Sequence, residues 1–295
     1  MERNVHDILI QIRGMQSSLP KACQKICKVI LENPSQVLQA SVHKLAEWSG
    51  TSDATVIRLC RMLGFDGYRP FLISLSAAIT SAELTDSSEH FSDIQADASM
   101  ASIIESISQA NQQSIRDTLK VLDAAALEKA VDRIASARQI ALCGLGASGL
   151  VCMDAEQKLL RIGRNCHSYV DSHSQLTAAA LLGREDVALL VSNSGETMDI
   201  LDTLELLKAN GVCTISLTRY GKNALAENSD IPLYISTTEI LFRSGAMGSR
   251  MAMLNVIDIL FASLVSRSYT QSQNSLMSTR QALEKRKTGK KNPAS

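Results

Sequence analysis

The sequence predicts a two-part fold, α plus α/β: an all-helical N-terminal module, then a C-terminal five-stranded parallel sheet flanked by helices. Two observations carry this prediction. Through the first 80 residues, apolar positions recur at helical spacing and no run alternates as a strand does. From residue 139 onward, short aliphatic runs alternate with helical segments, the pattern of a parallel sheet covered on both faces.

In the N-terminal module the spacing predicts helices over residues 5–15, 21–32, 42–49, 53–63 and 68–79. Pro20 and Pro34 punctuate the second, and Gly50 and Gly64 stand where the third and fourth should stop. Residues 81–100 are polar and acidic, with Phe91 and Ile94 too sparse to anchor an element, and read as a linker. Helices are expected over 101–119 and 124–137, then strands over 139–143, 167–170, 187–192, 213–217 and 231–235. Helices over 148–162, 174–182, 197–210 and 223–228 separate the strands, and a long one over 249–266 follows them. The expected organisation is therefore a helical module 1–80, a linker 81–100, an α/β domain with leading helices 101–270, and a basic tail 271–295. Without large apolar residues after Leu283, the end of that tail is expected to be frayed and solvated.

A chain of 295 residues, 45% apolar and 20% charged, has the material for two cores. Its zero net charge hides a segregation. Residues 1–80 hold nine basic against six acidic side chains, and 81–137 hold four against ten. The region 138–270 has eleven against thirteen and the tail six against one, so the two ends are the parts that favour a polyanion. The longest apolar-rich stretch, 251–265, is interrupted by Asn255 and Asp258 and is short for a bilayer span, so no membrane partner is expected and the chain reads as cytoplasmic. Seven cysteines without a CxxC pair, and with no histidines at zinc spacing, read as reduced core thiols, with no metal site and no cofactor expected.

Residues 42–63, VHKLAEWSGTSDATVIRLCRML, have the arrangement of a helix-turn-helix. Val42, Leu45 and Ala46 supply one buried stripe, Gly50 permits the turn, and Ser52 caps a second helix whose inner face is Val56, Leu59, Cys60 and Leu63. Thr55, Arg58, Arg61 and Met62 then point outward. Arginine suits bidentate contact with guanine, and threonine suits phosphate or a thymine methyl, so Ser52, Thr55, Arg58 and Arg61 are the candidate contacts to double-stranded DNA. A small bundle with a merely solvated arginine face remains the competing reading. The run SDATVIRLCRMLGFDGYRPF resembles the signature of RpiR-type bacterial regulators, Ser-x-x-Thr-Val-x-Arg followed by Leu-Gly-Phe-x-Gly-Phe or Tyr, with little departure over 52–68. That family pairs the module with a sugar isomerase (SIS) domain, so the resemblance implies an SIS-type sheet behind it and covers all but the linker and the tail.

In VALLVSNSGET, residues 187–197, an apolar strand runs into a turn that opens a helix. Hydroxyls of Ser192, Ser194 and Thr197, with N–H groups at the helix start, can converge on one phosphate, while Gly195 lets the backbone approach. Glu196 would repel that anion unless it faces solvent. The first strand ends in Gly144-Leu145-Gly146-Ala147-Ser148-Gly149, a G-x-G-x-x-G run, and Asp171 stands where a dinucleotide fold places its ribose acid. A nicotinamide dinucleotide is thus a competitor, although such a fold has no need of the second, serine-rich turn. Gly144 and Gly149 have the alternative role of permitting close packing of helix on strand. The resemblance implies a phosphorylated sugar, with Gly146 and Ser148 in the first loop and Ser192, Asn193, Ser194 and Thr197 as the cradle. Asp171, His173, Glu239 and Arg243 rank below them as contacts to the sugar, since such residues at helix ends serve more often as caps or surface groups.

An isomerase needs a base near the carbon-bound proton, and Glu239 or His173 has the chemistry for it. An enzyme has no use for an outward arginine helix. The joined architecture points instead to a DNA-binding regulator of carbohydrate metabolism, modulated by a phosphorylated sugar and without catalytic residues. A palindromic operator and a homodimer or homotetramer are the expected partners. The alternative is an SIS enzyme with an accessory helical module.

Overall fold

The computed structural model describes residues 8–16, 19–83, 98–236 and 246–287, and its chain divides into two compact units. The first holds the described residues up to Val121, with Arg219–Lys222 and the described ends of Ile235–Ser249. The second holds Leu122–Thr218, Asn223–Tyr234 and the residues from Arg250 onward. Expected helix 101–119 thus groups with the helical module and not with the sheet. One reason is Asp117, almost wholly buried, which is ion-paired to Arg13 at 3.5 Å and to Lys120 at 3.3 Å within that unit.

The first unit is helical: α1 (Ile8–Met15), α2 (Lys21–Glu32), α3 (Pro34–Leu38), α4 (Val42–Ser49), α5 (Asp53–Met62), α6 (Tyr68–Glu83) and α7 (Met100–Val121). α3 is the element absent from the expectation. Pro34, taken as a stop, occupies its first turn, where a missing N–H costs nothing. The amphipathic spacing puts Ile26, Ile30, Leu45, Leu59, Phe71 and Leu75 in one core, each fully buried and each contributing about 2 kcal/mol of apolar burial. Gly50 ends α4 at φ 58°, ψ 43°, the left-handed conformation in which a side chain is unfavourable. Ser41 and Ser52 cap α4 and α5 by accepting from Lys44 and Thr55 backbone N–H groups.

In the second unit α8 (Ala124–Ser136) leads into β1 (Ile140–Gly144), α9 (Ala147–Arg161), β2 (Cys166–Tyr169), α10 (Ser172–Ala179), β3 (Val187–Val191) and α11 (Met198–Ala209). β4 (Cys213–Arg219), α12 (Ala224–Asn228), β5 (Ile231–Ile235), α13 (Met247–Arg267) and α14 (Tyr269–Lys287) complete the chain. The strands form one sheet in the order β2-β1-β3-β4-β5, with β1 parallel to β2 and β3, and β3 parallel to β4. β1 and β3 are buried at every position, as a strand covered on both faces requires.

Two differences from expectation lie at the C-terminal end. α13 has 21 residues, long and apolar enough to cross a bilayer by length and composition. Its Ala252, Met253, Val256, Ile257, Leu260 and Leu264 are nonetheless buried, the pattern of a core helix. The tail is helical as far as Lys287, stabilised in part by an Arg280–Glu284 pair one turn apart, so only residues 288–295 of the expected frayed segment lie outside the described residues. Six of the seven cysteines are buried and Cys213 is half-buried, all as free thiols. Burial pushes Cys27 and Cys143 up to about 12, which keeps them protonated and inert.

Candidate functional site

On α5 the side chains divide by face. Val56, Leu59 and Cys60 point into the core, with Leu63 beyond the helix end. Ala54, Arg58, Arg61 and Met62 are exposed, and among the described residues neither arginine has an acidic partner. Ser52 and Thr55, expected as DNA contacts, are in part committed to the helix start. Ser52 Oγ accepts from the Thr55 N–H at 3.3 Å, and the two hydroxyls lie 2.9 Å apart. Ala54 is a surface residue that the sequence reading passed over. Its place four residues before Arg58 was the signal, and its methyl suits a thymine methyl.

The Leu-Gly-Phe-x-Gly-Tyr run after α5 builds the fold. Leu63 is buried, Gly64 takes φ 87°, and Phe65 meets Phe71 edge-on at 5.9 Å. Tyr68 stacks on Phe71 and donates its hydroxyl to the Ala40 carbonyl at 3.1 Å. Burial raises that phenol to about 12.

The second site is at the carboxyl edge of the sheet. In the order β2-β1-β3-β4-β5 the strand order reverses between the parallel neighbours β1 and β3, and Gly144 pairs with Val191 across that junction. The loops after β1 and β3 therefore leave the sheet side by side, at the switch point where open α/β sheets bind ligands. The dinucleotide order differs, with β1 and β4 flanking the crevice. Asp171, the would-be ribose acid, caps α10: one oxygen accepts the Ser174 N–H at 2.9 Å and the carboxylate also takes the Ser174 hydroxyl. Those bonds, the hydroxyl's first, hold its carboxyl below the ordinary value of 3.8.

In the first loop Gly146 adopts φ 56°, ψ −124°, open to glycine alone, at the start of α9, and Ser148 is half-buried in the first turn. Gly144 and Gly149 serve close packing. A Cβ on Gly144 would come within 2.9 Å of Cys152 Sγ, and one on Gly149 within 3.2 Å of Val170 Cγ1.

The cradle is a self-bonded turn. Ser192 Oγ lies 3.0 Å from Thr197 Oγ1 and accepts the Gly195 N–H, while Ser194 Oγ accepts the Glu196 N–H at 3.2 Å. Backbone N–H groups of Asn193, Ser194, Thr197 and Met198 have no partner among the described residues. Asn193 Oδ1 is buried without a donor. Unused donors in the turn that leads into α11 are what an anion requires. Gly195, at φ 68°, lies against Asn223, with which any Cβ there would collide, and its carbonyl accepts from Leu225 at 3.0 Å. Glu196 is exposed as expected, and its carboxylate also accepts the Ala224 N–H at 2.9 Å, a bond that occupies it at the start of α12. His173 is exposed on α10, after β2, the strand on the far side of β1 from the cradle. Glu239 and Arg243 lie outside the described residues.

Known proteins match both parts of the chain. The family model for the helix-turn-helix domain of the rpiR family matches residues 6–82, and that for the SIS domain matches 133–263. An uncharacterized HTH-type transcriptional regulator of Caldanaerobacter subterraneus is 40% identical over 281 residues, 95% of this chain and 98% of its own. The HTH-type transcriptional regulator HexR of Pseudomonas aeruginosa is 30% identical over 277 residues, 94% of this chain and 95% of its own. Among solved structures, the NanR protein of Vibrio vulnificus complexed with ManNAc-6P is similar at a TM-score of 0.59 and 27% identity, over 94% of this chain and 97% of that one. With a helix-turn-helix domain followed by an SIS domain, the chain belongs to the rpiR family of helix-turn-helix transcriptional regulators.

Proposed function

We propose that this regulator binds a double-stranded operator through Arg58 and Arg61 and that a phosphorylated sugar, held between the β1 and β3 loops, modulates that binding. The observation that carries the reading is the cradle: unpartnered N–H groups at the head of α11, beside the hydroxyls of Ser192, Ser194 and Thr197. The buried, donorless Asn193 Oδ1 suits a ligand hydroxyl and favours a sugar phosphate over phosphate alone. The similar NanR protein, complexed with ManNAc-6P, supports the same class. Hydroxyls and amides supply every interaction the anion needs, so the reading invokes no metal and no cofactor.

The chain acts as a sensor in the cytoplasm and not as an enzyme. Proton abstraction needs a base within reach of the sugar carbon. Among the described residues, Glu196 is engaged at Ala224 and His173 follows β2, on the far side of β1 from the cradle, while Glu239 lies outside them. The assembly is two-fold, matching a palindromic operator. On α9 the outward residues Leu150, Met153 and Leu160 are 50%, 50% and 63% exposed at spacings of one and two turns, an apolar stripe suited to burial against a second copy.

A thermal-shift screen of phosphorylated sugars, followed by operator gel shifts with and without each hit, tests the proposal. A stabilising sugar phosphate that changes operator affinity supports it. Turnover of such a sugar with no footprint on DNA reverses the order in favour of an isomerase, and a shift with NAD but not with sugar phosphates favours a dinucleotide sensor.

A further inference from the structure

Gln175 on α10 is completely buried, and its amide meets elements from both sides of the crevice. Its Nε2 donates to the Tyr169 carbonyl at 2.9 Å, at the end of β2, and to the Gly144 carbonyl at 3.4 Å, at the end of β1. Its Oε1 lies 3.4 Å from the hydroxyl of Thr203, itself completely buried on α11. Thr203 also donates to the Asp199 carbonyl at 2.8 Å, in the first turn of that helix. Gly144 is the last residue before the first loop, and α11 is the helix that the cradle opens. A single buried amide thus ties the backbone that launches one loop to the helix that carries the other.

The chemistry of the site makes that tie consequential. Two carbonyl oxygens call for N–H donors, and the Thr203 hydroxyl, whose single proton lies mainly on the Asp199 carbonyl at 2.8 Å, shares it with the amide oxygen at 3.4 Å, so the two ends of a primary amide suit all three partners. In a buried site such a network holds one arrangement, because any displacement leaves a polar atom without a partner. The cradle alone is enough for phosphate. A ligand with a body beyond the phosphate must also fit the first loop, and its affinity then depends on the gap between the two.

We propose that Gln175 is the positioning residue that sets the spacing between the β1 loop and the phosphate cradle, and thereby the preference for a phosphorylated sugar over a bare phosphate. This rests on the sugar-phosphate reading of the crevice. The test compares the full-length protein with its Gln175→Met and Thr203→Val variants, using the sugar phosphate that most stabilises the unaltered protein. Affinities for that sugar phosphate and for inorganic phosphate are measured by calorimetry, direct or by competition, alongside operator binding. Gln175→Met is expected to weaken the sugar phosphate about tenfold or more while inorganic phosphate and operator binding stay within about twofold. Thr203→Val is expected to do the same to a smaller degree, and it serves alone if Gln175→Met does not fold. Unchanged sugar-phosphate affinity, or equal loss for both ligands, overturns the positioning role while leaving the crevice assignment intact. No binding of any sugar phosphate by the unaltered protein removes the crevice assignment and this inference together.

Discussion

The α5 helix and the turn at the head of α11, the two candidate sites, are built in opposite ways. After α5 the signature residues Leu63, Gly64, Phe65 and Tyr68 build the fold, while the candidate DNA contacts on α5 are exposed surface groups, Ala54, Arg58 and Arg61. In the cradle the signature residues are the candidate site itself. Ser192, Ser194 and Thr197 bond to one another and to the turn, and Gly195 and Glu196 fasten it to Asn223, Ala224 and Leu225. A DNA reader works on a rigid helix, which needs no help to hold its side chains apart. A phosphate cradle is made from loop backbone, and its shape must be enforced by neighbours.

Substitutions should therefore cost stability and binding together in the cradle, and binding alone on α5. The largest effect is expected from Gly195→Ala, which forces a side chain into a left-handed conformation and against Asn223. Urea denaturation should show a loss of about 3 kcal/mol, and binding of a phosphorylated sugar should disappear. A variant as stable as the parent would show that the turn has room to relax. Arg58→Ala should leave stability unchanged and weaken operator binding by ~1–3 kcal/mol, the scale of one specific base contact. Retained sequence-specific footprinting by that variant would remove Arg58 from the interface.

Ser194→Ala should cost ~1.5 kcal/mol of sugar-phosphate affinity, the low end for a hydrogen bond to a charged group, with operator binding kept. Equal affinity in calorimetric titration would count against the cradle. The smallest effect concerns Asp171, an exposed cap whose carboxyl is held below the ordinary 3.8 by the Ser174 hydroxyl and N–H. Because the folded value is depressed, its stabilisation is present above the ordinary value and is lost as pH falls through the folded one. Asp171→Asn keeps a capping oxygen and removes the titration, so its melting temperature should fall less than the parent's below that pH. Identical acid limbs would show that the cap contributes nothing.

Much of this was legible in the residues because it rests on local chemistry. Helical spacing, capping serines, a glycine at each turn and the alternation of apolar runs with helices are set by neighbours in the chain, so the elements and the two signature turns could be read directly. α3 was missed because Pro34 reads equally as a stop and as a first helical residue, and only packing of Val37 in the core selects the latter. The grouping of α7 with the first unit depends on Asp117 meeting Arg13 across a hundred residues, and the helical tail on pairings that composition does not rank.

By itself the sequence determined that a helix-turn-helix precedes an α/β domain, and which turns bear hydroxyls and glycines. Only the tertiary structure decided what those turns face. The strand order puts Gly144 beside Val191, so that two loops separated by some forty residues emerge together. Glu196, the one residue whose charge opposed the reading, is engaged by the Ala224 N–H, and Gln175, which carries no signature at all, joins β1 to α11. Local propensity depends on the nearest few side chains, whereas these contacts depend on which strands lie adjacent and on the burial that makes each unsatisfied polar atom costly.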